Sequence, residues 1–328
     1  MLKRTAVGIV KAAGSPVARL TRQALSWIER EVLPQYELRY SPVFILGPPR
    51  SGTTLIYQAI VHCLTVSYLA NFAEYFQLEY SPIIAAKLGR FFRLTQDRRS
   101  TFESYYGRTQ GLGAPHEGGR LWNRWFPVDA HYVGRGDLTT EQKRAIYQVV
   151  AGIEHTLDAP FVNKNVKHSV RIQALVEALP AALFIECRRN QVAVAQSILL
   201  ARTHDFSGKP WLSVMPKEIN SIMGKDLLDQ VCEQVYYIER DIAADREAVG
   251  RDRFLTVVYE EFCKEPNRHL GEIIRFMNER CAPVKVRRQL PASFSASTSQ
   301  RLSDDDYSAL RERLAVLYGG KLEEYGRR

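Results

Sequence analysis

Cysteine is scarce in this sequence of 328 residues, and histidine is scattered. The five cysteines are an odd number, and no two of them form a C-x-x-C pair. This pattern argues against a disulfide framework and a zinc site, and it favours a reducing, cytoplasmic compartment. The seven histidines show no metal-ligand spacing, so we expect no metal. The cysteines are Cys63, Cys187, Cys232, Cys263 and Cys281.

Long apolar runs and linker-like segments are also missing. No stretch approaches the roughly 20 apolar residues that a membrane-spanning helix needs. No Pro- or Ser-rich linker, low-complexity tract or internal repeat divides the chain, and its 45% hydrophobic and 25% charged content is ordinary for a globular protein. We therefore predict one α/β domain over residues 41–328, preceded by a basic, amphipathic helical segment over residues 1–40.

Acidic residues are absent from the first 22 positions, which carry five cations. The cations are Lys3, Arg4, Lys11, Arg19 and Arg22, and apolar residues recur at helical spacing at Val17, Leu20, Ala24, Ile28 and Val32. Lys11 interrupts the continuous apolar core that a signal peptide needs. A basic amphipathic helix can rest on an anionic membrane. We favour the simpler interpretation, a helix that packs on the domain through its apolar side.

The whole chain has a net charge of +9, from 45 Lys and Arg against 36 Asp and Glu. This excess suits a small anionic molecule, an acidic polysaccharide, nucleic acid or a membrane surface. The charge alone does not choose among these partners, so the choice depends on the motifs.

The strongest motif follows residues 41–46, an apolar run rich in β-branched and aromatic side chains that is typical of a buried strand. The sequence GPPRSGTTL comes next, and helical periodicity follows it. A strand, a glycine-containing turn and a helix together direct backbone N–H groups and the helix N-terminus toward an anion. Ser51, Thr53 and Thr54 add hydroxyl donors. Arg50 adds a positive charge, so the segment predicts a cradle for phosphate or sulfate.

The spacing of two glycines allows a comparison with the phosphate loop of nucleoside triphosphatases, G-x-x-x-x-G-K-[ST]. Gly47 and Gly52 keep that spacing, but Thr53 stands at the position of the lysine. A kinase needs this lysine on the β- and γ-phosphates. The substitution argues against phosphoryl transfer from ATP, and a P-loop kinase with an altered loop stays open as an alternative.

The segment from Pro49 to Leu55 resembles the 5′-phosphosulfate-binding loop of sulfotransferases that use 3′-phosphoadenosine-5′-phosphosulfate (PAPS). It resembles the bacterial-type branch, which has arginine where cytosolic members have lysine. The resemblance implies an α/β fold with a P-loop-like central parallel sheet flanked by helices, and a largely helical insertion over about residues 68–150. It also implies PAPS as co-substrate, without a metal. By this resemblance the 5′-phosphosulfate is held by Arg50, Ser51, Gly52, Thr53 and Thr54, and Arg50 neutralises the oxygen of the departing phosphate.

A second strand-to-helix unit resembles the same family. Residues 182–187 are strand-like, and a helical stretch follows. The family's 3′-phosphate motif has arginine at the end of such a strand and serine eight residues later. Arg189 and Ser197 have this spacing, although Gln191 replaces the usual proline. The resemblance therefore implies that Arg189 and Ser197 bind the 3′-phosphate, with Arg188 as the rival arginine.

Sulfuryl transfer to a hydroxyl needs a base for the acceptor proton, and the family uses either histidine or glutamate. His116 and Glu117 lie in a glycine-rich loop followed by tryptophans, which is typical of a substrate-facing wall. We place Glu117 first and His116 second, with Glu74 as a third choice. Lys164, in a segment that resembles a family strand ending in lysine, is a candidate for holding the sulfuryl oxygens.

Three other segments have weaker signals. Residues 255–262 resemble a family element that opens a helix, and we interpret them as scaffold. Residues 295–301 form a Ser/Thr-rich loop ending in a cation, which either closes over the nucleotide or is a plain surface loop. Trp211, in the variable acceptor segment of residues 203–215, either stacks on an acceptor or plugs a loop.

The sequence thus predicts an enzyme that transfers a sulfuryl group from PAPS to an acceptor hydroxyl or amine by direct displacement. The acceptor is a small molecule, a glycan or a lipid, and we expect no nucleic acid partner. Two alternatives remain: the altered-loop kinase, and a non-catalytic protein that binds polyanions or a membrane surface. Peripheral contact of the basic N-terminus with an anionic membrane is compatible with each of them.

Overall fold

The computed structural model describes residues 16–76, 78, 81–94 and 100–322. The strands are β1 (Val43–Leu46), β2 (Ser104–Tyr105), β3 (Arg108–Thr109), β4 (Val162–Lys164), β5 (Leu183–Arg188) and β6 (Phe254–Val258). Four of them form the central sheet in the order β4–β1–β5–β6, and every neighbouring pair is parallel. The predicted central parallel sheet is therefore confirmed.

Helices flank this sheet, as the fold class requires. The helices are α1 (Pro16–Trp27), α2 (Thr53–Cys63), α3 (Asn71–Tyr75), α4 (Pro82–Phe91), α5 (Gly119–Trp122), α6 (Thr140–Leu157), α7 (Ile172–Ala178), α8 (Gln191–Leu200), α9 (Ile219–Ile222), α10 (Leu227–Val249), α11 (Tyr259–Lys264), α12 (Pro266–Asn278) and α13 (Asp304–Leu317). Single turns of other helix types cover Ile28–Val32, Val166–Val170, Ala201–Asp205 and Arg251–Arg253. Within the described residues, none of the helices is both long and apolar enough to span a bilayer.

Strand β1 is buried on both faces, which explains its uninterrupted apolar sequence. Phe44 and Leu46 belong to one core cluster, which also contains residues of α6, α7 and α10. Val43 and Ile45 belong to a second cluster, with residues of α2 and α12. Successive side chains of a strand point to opposite faces, so a central strand between two helical layers needs apolar residues at every position.

The parallel order brings the carboxyl ends of the four strands to one edge of the sheet, where ligands bind in open α/β folds. The phosphate-loop segment 47–52 follows β1, and Lys164 is the last residue of β4. Arg189 follows β5 directly, and Tyr259 follows β6. The topology therefore gathers residues from four distant parts of the sequence.

The insertion over residues 68–150 contains α3, α4, α5 and the start of α6, but more than half of its described residues lie outside helices, so it is less helical than the resemblance implied. Strands β2 and β3 pair antiparallel through a turn at Tyr106 and Gly107, which both have positive φ. Irregular backbone continues to residue 118. The glycine-rich composition of this stretch disfavours a helix, because glycine loses the most backbone entropy on ordering.

The N-terminal helix α1 packs through a different side from the one that we favoured. Leu20 is 66% exposed and Trp27 is 55% exposed, and Val32 is also exposed. The buried side carries Leu25, which packs against a small apolar cluster, and Glu29, which accepts hydrogen bonds from the backbone N–H groups at the start of α4. Packing through the apolar stripe was therefore a wrong prediction, because a capping carboxylate sets the orientation. The cations of residues 1–15 lie outside the described residues.

Candidate active site

A cleft of ≈ 910 Å³ opens at the carboxyl edge of the sheet. The loop after β1 lines it, together with Lys164, Arg189 and Tyr259 from the ends of the other three strands. The β2–β3 hairpin and part of the segment 294–301 also line it. The residues of both predicted phosphate motifs therefore meet in one cleft.

The loop after β1 is held in a tight conformation. Arg50 and Gly52 have positive φ values of 71° and 94°. A Cβ atom on Gly52 would lie 2.3 Å from the Tyr259 ring, so this position accepts only glycine. Thr53 and Thr54, at the N-terminus of α2, line the cleft. The loop thus presents a helix N-terminus and hydroxyl groups, the arrangement that binds phosphate and sulfate groups.

Ser51 behaves differently from its neighbours. Its side chain is fully buried and does not line the cleft. A Cβ atom on Gly47 would lie only 2.5 Å from the Ser51 hydroxyl, so this hydroxyl packs beneath the loop. Its backbone N–H donates to the Pro48 carbonyl over 3.2 Å. We conclude that Ser51 shapes the loop from inside.

Arg50, Arg189 and Ser197 form one connected group. The Arg50 Nε donates to the Ser197 hydroxyl over 2.9 Å, and the Arg189 Nη1 donates to the Arg50 carbonyl over 2.6 Å. The rival arginine, Arg188, points elsewhere and pairs with Glu186 at 2.8 Å. The structure therefore places Arg189 in the cleft, next to the phosphate loop.

The cleft concentrates positive charge. Burial lowers the pKa of Arg50, and the nearby charge of Arg301 lowers it further. Burial also lowers the pKa of Arg189, and the charge of Arg50 adds to this effect. The Arg189 Nε is buried without a hydrogen-bond partner among the described residues. Guanidinium groups stay protonated at neutral pH, so this group of cations would be stabilised by a bound polyanion.

Two segments that gave weak signals contribute to this wall. The Arg189 guanidinium lies 4.6 Å from the centre of the Tyr259 ring, which also contacts Gly52. The Ser297 carbonyl accepts a hydrogen bond from the Arg189 Nη2, and Arg301 lines the cleft. Tyr259 is therefore more than scaffold, and the loop of residues 295–301 contacts Arg189 through the Ser297 carbonyl.

Glu117 and Lys164 form an ion pair inside the cleft, and both line it. The Lys164 side chain is almost fully buried, whereas 32% of the Glu117 side chain is exposed. The side-chain amides of Asn163 and Asn165 donate to the Glu117 carbonyl. A Cβ atom on Gly107 would lie 2.7 Å from the Glu117 Oε1, so the hairpin turn approaches this carboxylate closely. The carboxylate is thus fixed in place and reachable from the cleft.

The other two candidate bases lie outside the cleft lining. His116 is half-buried with its Nε2 shielded from solvent, and its Nδ1 accepts a hydrogen bond from the Gly118 N–H over 2.7 Å. Burial lowers the pKa of His116 to about 4, partly offset by Glu117. Glu74 is on the exposed side of α3. Of the three candidates, Glu117 has the geometry of a base that a substrate can reach.

The β2–β3 hairpin contributes residues to the cleft lining that the sequence analysis did not identify. The Tyr105 and Tyr106 hydroxyls both donate to the Asp205 carboxylate, and the Arg50 guanidinium lies 4.8 Å from the centre of the Tyr106 ring. These hydrogen bonds, with that from Tyr106 the stronger, lower the pKa of Asp205. Phe206 contacts the Tyr106 ring edge-on at 4.7 Å. The Tyr-Tyr-Gly turn was the one local signal that could have identified this feature.

The variable segment of residues 203–215 places Trp211 away from the cleft. Trp211 is 7% exposed, and its Nε1 donates to the Val214 carbonyl over 2.9 Å. Trp211 therefore plugs its own loop, the second of the two interpretations. Leu212 and Ser213 line the cleft instead. In the part of the chain that the structure describes, no group of three or more His, Cys, Asp or Glu is arranged to hold a metal ion.

A family model described as "Sulfotransferase family" matches residues 42–283, which is more than half of the chain. Two curated relatives, the omega-hydroxy-beta-dihydromenaquinone-9 sulfotransferases Stf3 of Mycobacterium bovis and Mycobacterium tuberculosis, are 23% identical over 255 residues. The match covers 72% of this chain and 62% of each relative. The chain therefore matches less than two thirds of the length of these relatives.

Solved structures show the same fold. Sulfotransferase STF1 from Mycobacterium tuberculosis H37Rv superposes with a TM-score of 0.51 at 18% identity, over 95% of this chain and 92% of that one. Sulfotransferase STF9 from Mycobacterium avium gives 0.50 at 17% identity, over 89% of this chain and 72% of that one. With the family model matched from the start of β1 to beyond β6, this chain belongs to the sulfotransferase family.

Proposed function

We propose that this protein transfers a sulfuryl group from PAPS to a hydroxyl or amine of an acceptor with an apolar or aromatic part. The observation that carries the proposal is the contact between the two predicted phosphate motifs. Arg189 donates to the carbonyl of Arg50, 139 residues earlier in the chain, and Arg50 donates to Ser197. A donor with phosphate groups at both the 5′ and the 3′ positions needs two phosphate-binding motifs that lie close to each other in the folded protein.

The residues of the cleft fit PAPS. The helix N-terminus with Thr53 and Thr54, and the Arg50 guanidinium, would hold the 5′-phosphosulfate. Arg189 and Ser197 would hold the 3′-phosphate, and a bound phosphate would supply the partner that the buried Arg189 Nε lacks. The same arginines disfavour the altered-loop kinase, because ATP has no 3′-phosphate to engage them.

The reaction is a direct displacement at sulfur. The acceptor oxygen or nitrogen forms a bond to sulfur, and the bond between sulfur and the bridging phosphate oxygen breaks. Adenosine 3′,5′-bisphosphate leaves with the electron pair of that bond, and the acceptor loses a proton to a base. Arg50 and the N-terminus of α2 stabilise the charge that develops on the leaving phosphate.

Glu117 is the proposed base. Its carboxylate lines the cleft, and the Lys164 ammonium fixes its position. Lys164, which lines the same cleft, would hold the sulfuryl oxygens. His116 fits this role less well, because its Nδ1 already accepts the Gly118 N–H and its other nitrogen is buried.

The aromatic part of the cleft lining supports an apolar or aromatic acceptor. The lining includes these aromatic and aliphatic side chains: Phe102, Tyr105, Tyr106, Phe206, Leu212 and Phe294. Such side chains offer stacking and apolar contact to an acceptor. The curated relatives are named for a menaquinone derivative, a lipid. A lipid or a small aromatic molecule is therefore the proposed acceptor class.

A thermal-shift titration tests the donor assignment directly. A ligand that binds only the folded state raises the unfolding midpoint by mass action. Adenosine 3′,5′-bisphosphate should raise the midpoint more than 5′-AMP or ATP with magnesium, and Arg189→Ala should abolish that difference. Arg251→Ala, which removes an exposed guanidinium far from the cleft residues, is the matched control. A larger shift with ATP and magnesium would favour the kinase, and no shift with any nucleotide would favour a non-catalytic binding protein.

A further inference from the structure

The N-terminal helix α1 exposes an apolar stripe. Leu20 and Trp27 lie seven residues apart, on one side of a helix with 3.6 residues per turn, and each is more than half exposed. Ala24, between them, is exposed as well. Contiguous exposed apolar side chains of this size are typical of a contact surface.

Helix α4 lies beside this segment. Glu29, which follows α1, accepts from the backbone N–H of Ile83 at the start of α4, and Leu25 packs on the same small cluster as Leu88. Leu94, just beyond the C-terminal end of α4, packs on this cluster as well.

That end of α4 carries aromatic rings and cations together. Phe91 is 79% exposed and Phe92 is 57% exposed, and the two rings contact each other edge-on at 5.2 Å. Lys87, Arg90 and Arg93 are exposed around them. We call this surface the α1–α4 face, and it comprises Leu20, Ala24, Trp27, Lys87, Arg90, Phe91, Phe92 and Arg93.

A shallow depression of ≈ 430 Å³ lies beside these rings. Lys87, Arg90 and His155 line it, with Tyr36, Phe91 and Thr156. Arg90 is held in place by a hydrogen bond from its Nη1 to the Thr156 carbonyl over 2.6 Å. None of the described residues that line it is acidic, and Asp158, two residues beyond Thr156, is paired with Arg39 at 3.0 Å. The depression therefore suits a phosphate-bearing group.

We propose that the α1–α4 face docks this protein on the surface of an anionic lipid bilayer. Trp27, Phe91 and Phe92 would enter the headgroup region, and the cations around them would pair with lipid phosphates. The sequence before Glu29 adds five cations and no acidic residue, so its charge matches the same surface. This inference does not depend on the sulfuryl-transfer reaction.

Tryptophan fluorescence gives a direct test with the full chain. The chain has four tryptophans, and Trp122, Trp125 and Trp211 are buried whereas Trp27 is not. Vesicles of phosphatidylcholine mixed with phosphatidylserine should shift the emission to shorter wavelength. Trp27→Phe should remove the shift while the protein still sediments with the vesicles. An emission spectrum that anionic vesicles leave unchanged in the wild-type protein would overturn the proposal.

Co-sedimentation with the same vesicles tests the other residues. Phe91→Ser with Phe92→Ser should weaken binding by about tenfold or more, since each ring contributes apolar burial. Lys87→Glu should weaken it by about fivefold and more strongly at low salt. Val316→Ser, which alters a valine that is 82% exposed on α13, is the control and should bind normally.

Two outcomes would contradict the membrane assignment. An equal loss in Val316→Ser would show that binding is not specific to this face. Light scattering that detects a dimer lost in Phe91→Ser with Phe92→Ser, without any vesicle binding, would assign the face to a second copy of the chain. Matching circular dichroism spectra and unfolding midpoints for all variants would show that each is folded.

Discussion

Glu117 and His116 are adjacent in the chain, but only Glu117 lines the cleft. Substitution of each residue in turn therefore tests which of them is the base. Glu117→Gln keeps the size of the side chain and removes the proton acceptor. We expect kcat to fall by about 10²–10⁴-fold, the usual contribution of general-base catalysis. The affinity for adenosine 3′,5′-bisphosphate should stay close to that of the wild-type protein, because Glu117 is not part of the phosphate motifs.

His116→Asn is the matched control. An asparagine can keep the hydrogen bond that the Nδ1 accepts from Gly118, so the loop should hold its shape. We expect a kcat within a few fold of the wild-type value, measured with the same acceptor. A large loss in His116→Asn together with a small one in Glu117→Gln would reverse the assignment of the base.

Gly52 is the residue on which the shape of the phosphate loop depends most. In Gly52→Ala the new Cβ would collide with the Tyr259 ring, and the left-handed φ would cost about 1–2 kcal/mol. We expect the shift of the unfolding midpoint by adenosine 3′,5′-bisphosphate to disappear. The measurement is the same nucleotide titration.

Gly111→Ala is the control that introduces backbone strain without a steric collision. Gly111 has a similar φ of 96°, but an added Cβ would meet nothing within 4 Å. This variant should lose only the roughly 1–2 kcal/mol of backbone strain and keep its nucleotide response. Loss of the response in both variants would mean that backbone strain, rather than the contact with Tyr259, is responsible.

At the scale of elements, the β2–β3 hairpin depends on Asp205. Tyr105 and Tyr106 both donate to this carboxylate, which links the hairpin to the turn that follows α8. Asp205→Ala removes both acceptors, so we expect faster hydrogen exchange at residues 104–109. The control is Asp252→Ala, on the turn before β6, which should leave exchange in the hairpin unchanged. Unchanged exchange in Asp205→Ala would show that packing of the aromatic rings is enough to hold the hairpin.

The elements differ in how far the sequence could predict them. The strand over Val43–Leu46 and the helix after it were predictable, because burial on both faces demands an uninterrupted apolar run. The hairpin was not, since each of its strands has two residues and shows no alternation. The side on which α1 packs was also beyond the sequence, because Leu25 and Leu20 are equally apolar and a distant contact from Glu29 decides between them.

For the whole molecule, the buried carboxyls of Glu29 and Glu154 make a predictable contribution to the pH dependence of stability. Burial raises the pKa of Glu29 and of Glu154 to about 7, above the ordinary value of 4.5. Between these values the two carboxyls bind more protons in the folded protein than in the unfolded chain, so their contribution to the free energy of unfolding falls as the pH rises. Burial lowers the pKa of His116 and His131 to about 4, which acts in the opposite direction, so the share of a carboxyl is measured as the difference between the wild-type protein and a carboxyl variant in urea denaturation at about pH 5 and about pH 8.

Glu29→Gln should lose the part of this fall that Glu29 causes, so its stability at about pH 8 relative to about pH 5 should exceed that of the wild-type protein. One amide oxygen can still accept from Ile83 and Ile84, as one carboxylate oxygen does now. Glu37→Gln, which alters an exposed residue of the same segment, is the control and should leave the slope unchanged. An unchanged slope in Glu29→Gln would mean that other groups dominate the titration.

The sequence by itself determined the features that depend on neighbouring residues. The apolar strand, the glycine turn and the hydroxyl-rich helix start are contiguous, so their local chemistry defines a phosphate loop before any tertiary contact forms. Only the tertiary structure decided which distant residues act together. The contacts from Arg50 to Ser197 and from Lys164 to Glu117 span 147 and 47 residues. They exist because the parallel order of the sheet brings the ends of β1, β4 and β5 to one edge, and no local pattern encodes that order.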